Sequence, residues 1–226
     1  MSMKEAAAPA VGRPRTFDPE MALDRALEVF WQRGYEGTSL SDLTAAMGIN
    51  RPSLYAAFGN KEQLFRKVLD RYAEGPTGYM VQALQAPTAR KVAEGVLRGV
   101  IDQLTDRRTP RGCLFVQSAL ACADTAESVR AELVSRRAAA EKALRRRFER
   151  AKKEGDLPPD ASPADLAGYL MTVVHGLAVR GASDATRAQL LRVMGRAMQA
   201  WPRDRRAATK PHQGGRRSAG RRSFSA

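Results

Sequence analysis

The sequence predicts an all-α protein in which an N-terminal three-helix helix-turn-helix domain is joined to a C-terminal helical bundle. Three observations carry this. Apolar residues recur at steps of three and four, period-two alternation is nearly absent, and Pro, Gly and capping residues punctuate the chain at helix-length intervals. With 226 residues, 43% of them hydrophobic, the chain is long enough to bury a core.

Asp18-Pro19 reads as an N-cap and first helical position, after which Leu23, Ala26, Leu27 and Phe30 share one face up to Gly34. Ser39 opens a short second helix with Leu40, Leu43 and Met47 inward and Gly48 as its stop. Asn50 caps a third, Pro52 fits its unbonded first turn, and Leu54 and Phe58 face inward at i and i+4. Asn60 and Gln63 form a capping box for a fourth, which buries Leu64, Phe65, Val68, Leu69 and Tyr72. These four helices take the chain from residue 18 to about 84, with Gly75-Pro76 as a bend or break in the last.

Longer helices are predicted beyond Pro87, over about 88–106, 112–122 and 125–154. Ser162-Pro163 starts another, Asp184 is read as the start of the last, and Pro202 closes it. The final two bury Leu166, Leu170, Val173 and Leu177, and Leu190, Met194, Ala197, Met198 and Trp201; they complete the bundle core or pair with a second subunit.

Residues 39–58 have the layout of a helix-turn-helix, with Gly48-Ile49-Asn50 as the turn. Such a unit lays its second helix in the major groove while the first crosses the backbone. A helix of only about seven residues is marginal alone, so packing on its neighbours must hold it.

The stretch TSLSDLTAAMGINRPSLYAAFGNKEQLF at 38–65 resembles the tetracycline-repressor (TetR) family of bacterial regulators, without gaps over about residues 13–72. Gly48, Leu54-Tyr55, Phe58, Lys61-Glu62 and Leu64 stand where that family's pattern places them. The resemblance implies that Tyr55 and Lys61 touch phosphates, that Thr38 and Ser39 lie at the backbone beside the reading helix, and that Arg51, Pro52 and Ser53 face bases. Arg51 suits a bidentate contact to guanine, and Pro52 only an apolar one, as to a thymine methyl. Lys61 adds its charge to the exposed amides of a helix start. Ala57 departs from the pattern, standing where a histidine or aromatic residue is frequent.

The resemblance further implies four regions: a basic arm over 1–17 with Arg13 and Arg15, the DNA-binding domain over 18–72, a ligand-binding and dimerisation domain over 73–202, and a basic tail over 203–226. The function implied is a homodimeric, ligand-responsive regulator, a repressor released from double-stranded operator DNA by a small-molecule effector. Phe115, Gln117, Met171 and His175 are the candidate pocket set, although core or surface roles stand beside that reading for all four. Leu170, Leu177, Met194 and Met198 are the candidate dimer seam.

The formal net charge is +14, and residues 203–226 supply half of it, with eight Lys or Arg against one Asp. That tail has no apolar periodicity, so disorder is expected there. The alternative function is therefore an effector-independent architectural DNA-binding protein. The cationic series from Arg136 to Lys153, including Arg147, is interrupted by Glu141 and Glu149 and reads as a solvated face.

Cys113 and Cys122, nine residues apart, favour reduced thiols over a disulfide framework; Cys113 begins a helix whose amides would favour a thiolate. No metal site, cofactor, phosphate loop or catalytic set is found, so an enzyme is not expected. The apolar run GYLMTVVHGLAV is too short to span a bilayer, and a cytoplasmic location without membrane association is expected.

Overall fold

In the computed structural model, residues 17–121 and 126–202 are described, and among them the chain forms ten α-helices and no strand. The first four are α1 (Pro19–Arg33), α2 (Leu40–Met47), α3 (Arg51–Phe58) and α4 (Lys61–Glu74). Their starts are chemically written. Asp18 accepts the Glu20 amide at 2.9 Å, Asn50 accepts that of Ser53 at 2.9 Å, and Ser39/Asp42 and Asn60/Gln63 cap reciprocally. Each such cap is worth about 1 kcal/mol, which matters for helices as short as α2 and α3. Gly48 ends α2 in the left-handed region, φ 69° and ψ 31°, where a side chain would be strained.

Phe30, Leu43, Met47, Leu54, Leu64 and Phe65 close a buried core under α2 and α3, with Phe30 and Phe65 edge to face at 4.9 Å. That core orients α3 and leaves its opposite face outside.

The second part comprises α5 (Tyr79–Leu84), α6 (Ala89–Thr105), α7 (Leu114–Ala121), α8 (Glu127–Lys153), α9 (Pro163–Ala182) and α10 (Arg187–Gln199). The fourth predicted helix is thus two: α4 ends at Glu74, and the chain turns through Gly75 and Gly78 before α5. The tight seating of α5 on α6 requires Gly99, because a Cβ there would stand 2.5 Å from the Tyr79 ring. α9 packs against both α6 and α8, and α10 against α6 and α9.

Two expectations are corrected. Asp184 does not start the last helix: it has φ 60° and pairs with Arg111, while Thr186 and Gln189 form the capping box of α10. Arg147 is not solvated; at 6% exposure it donates to the Leu84 and Ala86 carbonyls at 3.2 and 2.7 Å, holding the α5–α6 connection onto α8. Leu170, Leu177, Met194 and Met198, the candidate seam, are buried within this one chain, where they pack into its own core. Arg13, Arg15, Cys122 and residues 203–226 lie outside the described residues.

Candidate functional site

α3 turns Leu54 and Phe58 into the core and leaves Arg51, Pro52 and Tyr55 exposed, with Ser53 half-buried beside them; Tyr55 is 48% exposed. This is an edge of polar and apolar groups on one helix, supported from below and open above. The Arg51 guanidinium donates to Ser41 Oγ at 3.1 Å, which lays it back over the start of α2. Ser41 was not singled out in the sequence, because only the fold brings the two within reach.

Lys61 begins α4 with its ammonium 4.3 Å from the centre of the Tyr35 ring. Partial burial lowers its pKa, opposed by the Glu36 charge, and the ring's negative face favours the cation. Tyr35 in turn packs on Phe30 and Phe65, so the ammonium rests on a platform continuous with the core. Ser39 is exposed and caps α2. Its hydrogen bonds, then Arg33, hold the Asp42 carboxyl down at about 2.

Thr38 is buried: at 1% exposure its hydroxyl donates to the Gly34 carbonyl at 2.7 Å, so this side chain closes the α1–α2 connection.

A cavity of about 310 Å³ lies in the second part, between α5, α7, α8 and α9. Phe115, Met171 and His175 line it together. Gln117 does not: its amide folds over Gly112, whose Cβ would stand 2.4 Å from Gln117 Nε2. A larger groove of about 670 Å³, beyond Tyr79, is open to solvent and carries both charge signs in Arg98, Asp102 and Asp106.

His175 and Cys113, both on the cavity wall, have displaced titrations. Burial, then the Arg137 charge, pushes His175 below its ordinary value against Glu141, so a neutral imidazole offers one donor and one acceptor. Burial raises the Cys113 thiol despite the Tyr72 hydroxyl and the amides of Val116 and Phe115. The amide effect expected from the helix start is present, but desolvation outweighs it.

The cavity is joined to the reading unit by a short aromatic path. Phe115 meets Tyr72 edge to face at 5.0 Å, and Tyr72 meets Trp31 of α1 at 4.8 Å. Two hydrogen bonds close the seam: Trp31 Nε1 donates to the Gly112 carbonyl at 3.0 Å, and the Leu114 amide to the Tyr72 hydroxyl at 3.3 Å.

Tyr169, Thr172, Gly176 and Val179 follow one another along the outer face of α9, and Ala188, Arg192 and Gly195 along that of α10. Among the described residues, no group of three His, Cys, Asp or Glu converges to hold a metal ion, and no helix is long and apolar enough to cross a membrane.

Residues 22–68 match the family described as bacterial regulatory proteins, tetR family, and residues 93–200 match the tetracyclin repressor-like C-terminal domain. The HTH-type transcriptional repressor ComR of Escherichia coli K12 is 32% identical over 193 residues, 84% of this chain and 92% of ComR. Among solved structures, a cysteine variant of the TetR family transcriptional regulator CifR, complexed with 26-bp double-strand operator DNA, is similar at TM-score 0.81. It is 44% identical, covering 84% of this chain and all of that one. A TetR regulator from Rhodococcus sp. RHA1 is 39% identical over 82% of this chain and all of its own, at TM-score 0.53.

Proposed function

The chain belongs to the TetR family of bacterial regulatory proteins, and on that premise we propose that it is a homodimeric repressor whose operator binding is released by a small molecule. The observation that carries the reading is the 44% identity to a relative held on operator DNA, which extends across the whole length of that relative. The exposed edge of α3 fits the role: Arg51, Pro52 and Ser53 face bases, Tyr55 and Lys61 contact phosphates, and Ser39 lies at the backbone.

The effector occupies the cavity between α5, α7, α8 and α9, close to the size range of small-molecule sites. It releases DNA by binding more tightly to an arrangement in which the two reading helices no longer match successive major grooves. The seam from Phe115 through Tyr72 to Trp31 gives it a packed route to α1 and α4. Two copies associate through the outer face of α9 and α10, where Gly176 and Gly195 have open space above them and allow close approach.

Selection of bound duplexes from a random pool tests the reading. Enrichment of one two-fold-symmetric sequence is expected. Even recovery of all sequences would instead support an architectural protein and overturn the repressor assignment.

A further inference from the structure

We infer that the molecule taken up by the internal cavity is a carboxylic acid with an apolar alkyl or aryl body, bound with its carboxylate on Arg137. This deepens the effector reading above and rests on it. The walls contributed by Met80, Leu84, Val116, Ala140 and Met171 are apolar, and the cavity has room for on the order of a dozen non-hydrogen atoms at protein packing density. α8 contributes two adjacent arginines to this wall, Arg136 and Arg137.

The two arginines differ in what they hold. Arg136 is satisfied on its own chain, by Asp70 and by Glu132, each at 2.7 Å. Arg137 is half-buried, and among the described residues no carboxylate lies within 4 Å of it. Glu141, one turn further along α8, reaches toward Gly168 of α9, 3.8 Å from where a Cβ there would stand. Arg137 lines the cavity together with Cys113, which precedes α7, and His175 of α9.

An unpaired, partly desolvated guanidinium is costly, and a planar carboxylate is its natural complement because two parallel N–H···O bonds form at once. A cationic ligand would meet the like charge of Arg137. A neutral apolar one would strip water from Arg137 without replacing it. Tyr79 also lines the cavity, and its hydroxyl, without a hydrogen-bond partner among the described residues, supplies a further donor to the acid.

Calorimetric titration of the full chain with 4-phenylbutyrate, 4-phenylbutan-1-ol and 4-phenylbutylamine tests this at matched size. The acid is expected to bind about tenfold or more tighter than the alcohol, as for one charge-assisted contact, and the amine most weakly. Arg137→Gln should bring the acid to the level of the alcohol and Arg137→Lys should retain part of the preference, with thermal melts checking the fold of each. Ala140→Trp, which fills the cavity, should weaken all three probes. An alcohol as tight as the acid, or an acid preference that survives Arg137→Gln, overturns the carboxylate assignment and leaves the cavity as a binding site. Failure of all three to bind the unaltered chain, or binding indifferent to Ala140→Trp, overturns the cavity reading as well.

Discussion

Arg136 of α8 pairs with Asp70 of α4 at 2.7 Å while the same residue forms part of the cavity wall. α4 also carries Lys61 at its start, so one ion pair links the cavity wall to the helix that flanks α3. Asp70 is 61% exposed on its side chain, which limits such a pair to below about 1 kcal/mol. Asp70→Asn is therefore expected to weaken operator binding by no more than about fivefold, to lower the melting temperature little, and to lose its effect as salt rises. Binding isotherms at two salt concentrations check this, and an unchanged affinity at low salt would show that the pair carries no coupling.

The proposed DNA contacts of α3 and α4 should separate positioning from discrimination. Tyr55→Phe and Lys61→Ala should weaken binding to operator and scrambled duplexes alike, whereas Arg51→Ala should also relax preference at one base position by about 1 to 3 kcal/mol. Thr38→Val should behave unlike all of these: it leaves the Gly34 carbonyl without its donor and should lower stability by about 1 to 3 kcal/mol with an unchanged salt slope. Affinities on operator variants, read beside thermal melts, distinguish the classes. Unchanged base preference in Arg51→Ala would assign that side chain to the backbone.

Helix starts were legible in the sequence because capping is local: Asp18, Ser39, Asn50 and Asn60 act within three residues of themselves. What was not legible depends on which partner the folded chain brings to a side chain, near or far in sequence. Thr38 and Arg147 are polar residues whose acceptors are backbone carbonyls, and those of Arg147 stand more than sixty residues away. The apolar faces of α9 and α10 were plain, but amphipathicity cannot say whether the covering surface belongs to the same chain or to a second one. Leu170, Leu177, Met194 and Met198 turned out to be covered by their own chain. Gln117 failed for a similar reason, since its neighbour Gly112 holds it away from the cavity.

Alkaline pH should destabilise the fold through three groups at one wall. Burial is the first cause raising Tyr72, Tyr79 and Cys113 above their ordinary values of 10.0, 10.0 and 9.0. The unfolded chain then releases protons that the folded chain retains, so their contribution is complete below about pH 9 and is lost as pH rises beyond it. The melting temperature is expected to fall on that alkaline side. Tyr79→Phe should flatten part of the fall without a cost at neutral pH, because no hydrogen bond of its hydroxyl is lost among the described residues. Identical alkaline profiles for both proteins would remove Tyr79 from this account.

The cationic tail should act on DNA without reading it. Residues 203–226 carry seven of the fourteen net positive charges. Each Lys or Arg that displaces a counterion adds about 0.9 to the salt slope on duplex DNA. Deleting the segment is expected to flatten that slope and weaken binding to scrambled duplexes, while preference for operator stays or rises. Equal slopes with and without the segment would show that it does not engage DNA, and loss of operator preference would show that it contributes to sequence recognition.

Charge on α9 should have opposite consequences at neighbouring positions. Leu177 is buried in the chain's own core, so Leu177→Glu places an unpaired charge where nothing solvates it and should prevent folding. Gly176, one residue earlier, points outward with no atom within 4 Å of a built Cβ, as does Gly195 on α10. Gly176→Glu and Gly195→Glu should leave the monomer folded, with melting temperature unchanged or raised because glycine is a poor helix former. In a two-fold interface each new carboxylate enters the packed surface near its own copy, so like charges meet across the axis. Sedimentation should then find folded monomers with weakened operator binding, since two half-sites are no longer held by one particle. Folded dimers in both glycine variants would move the interface away from this face.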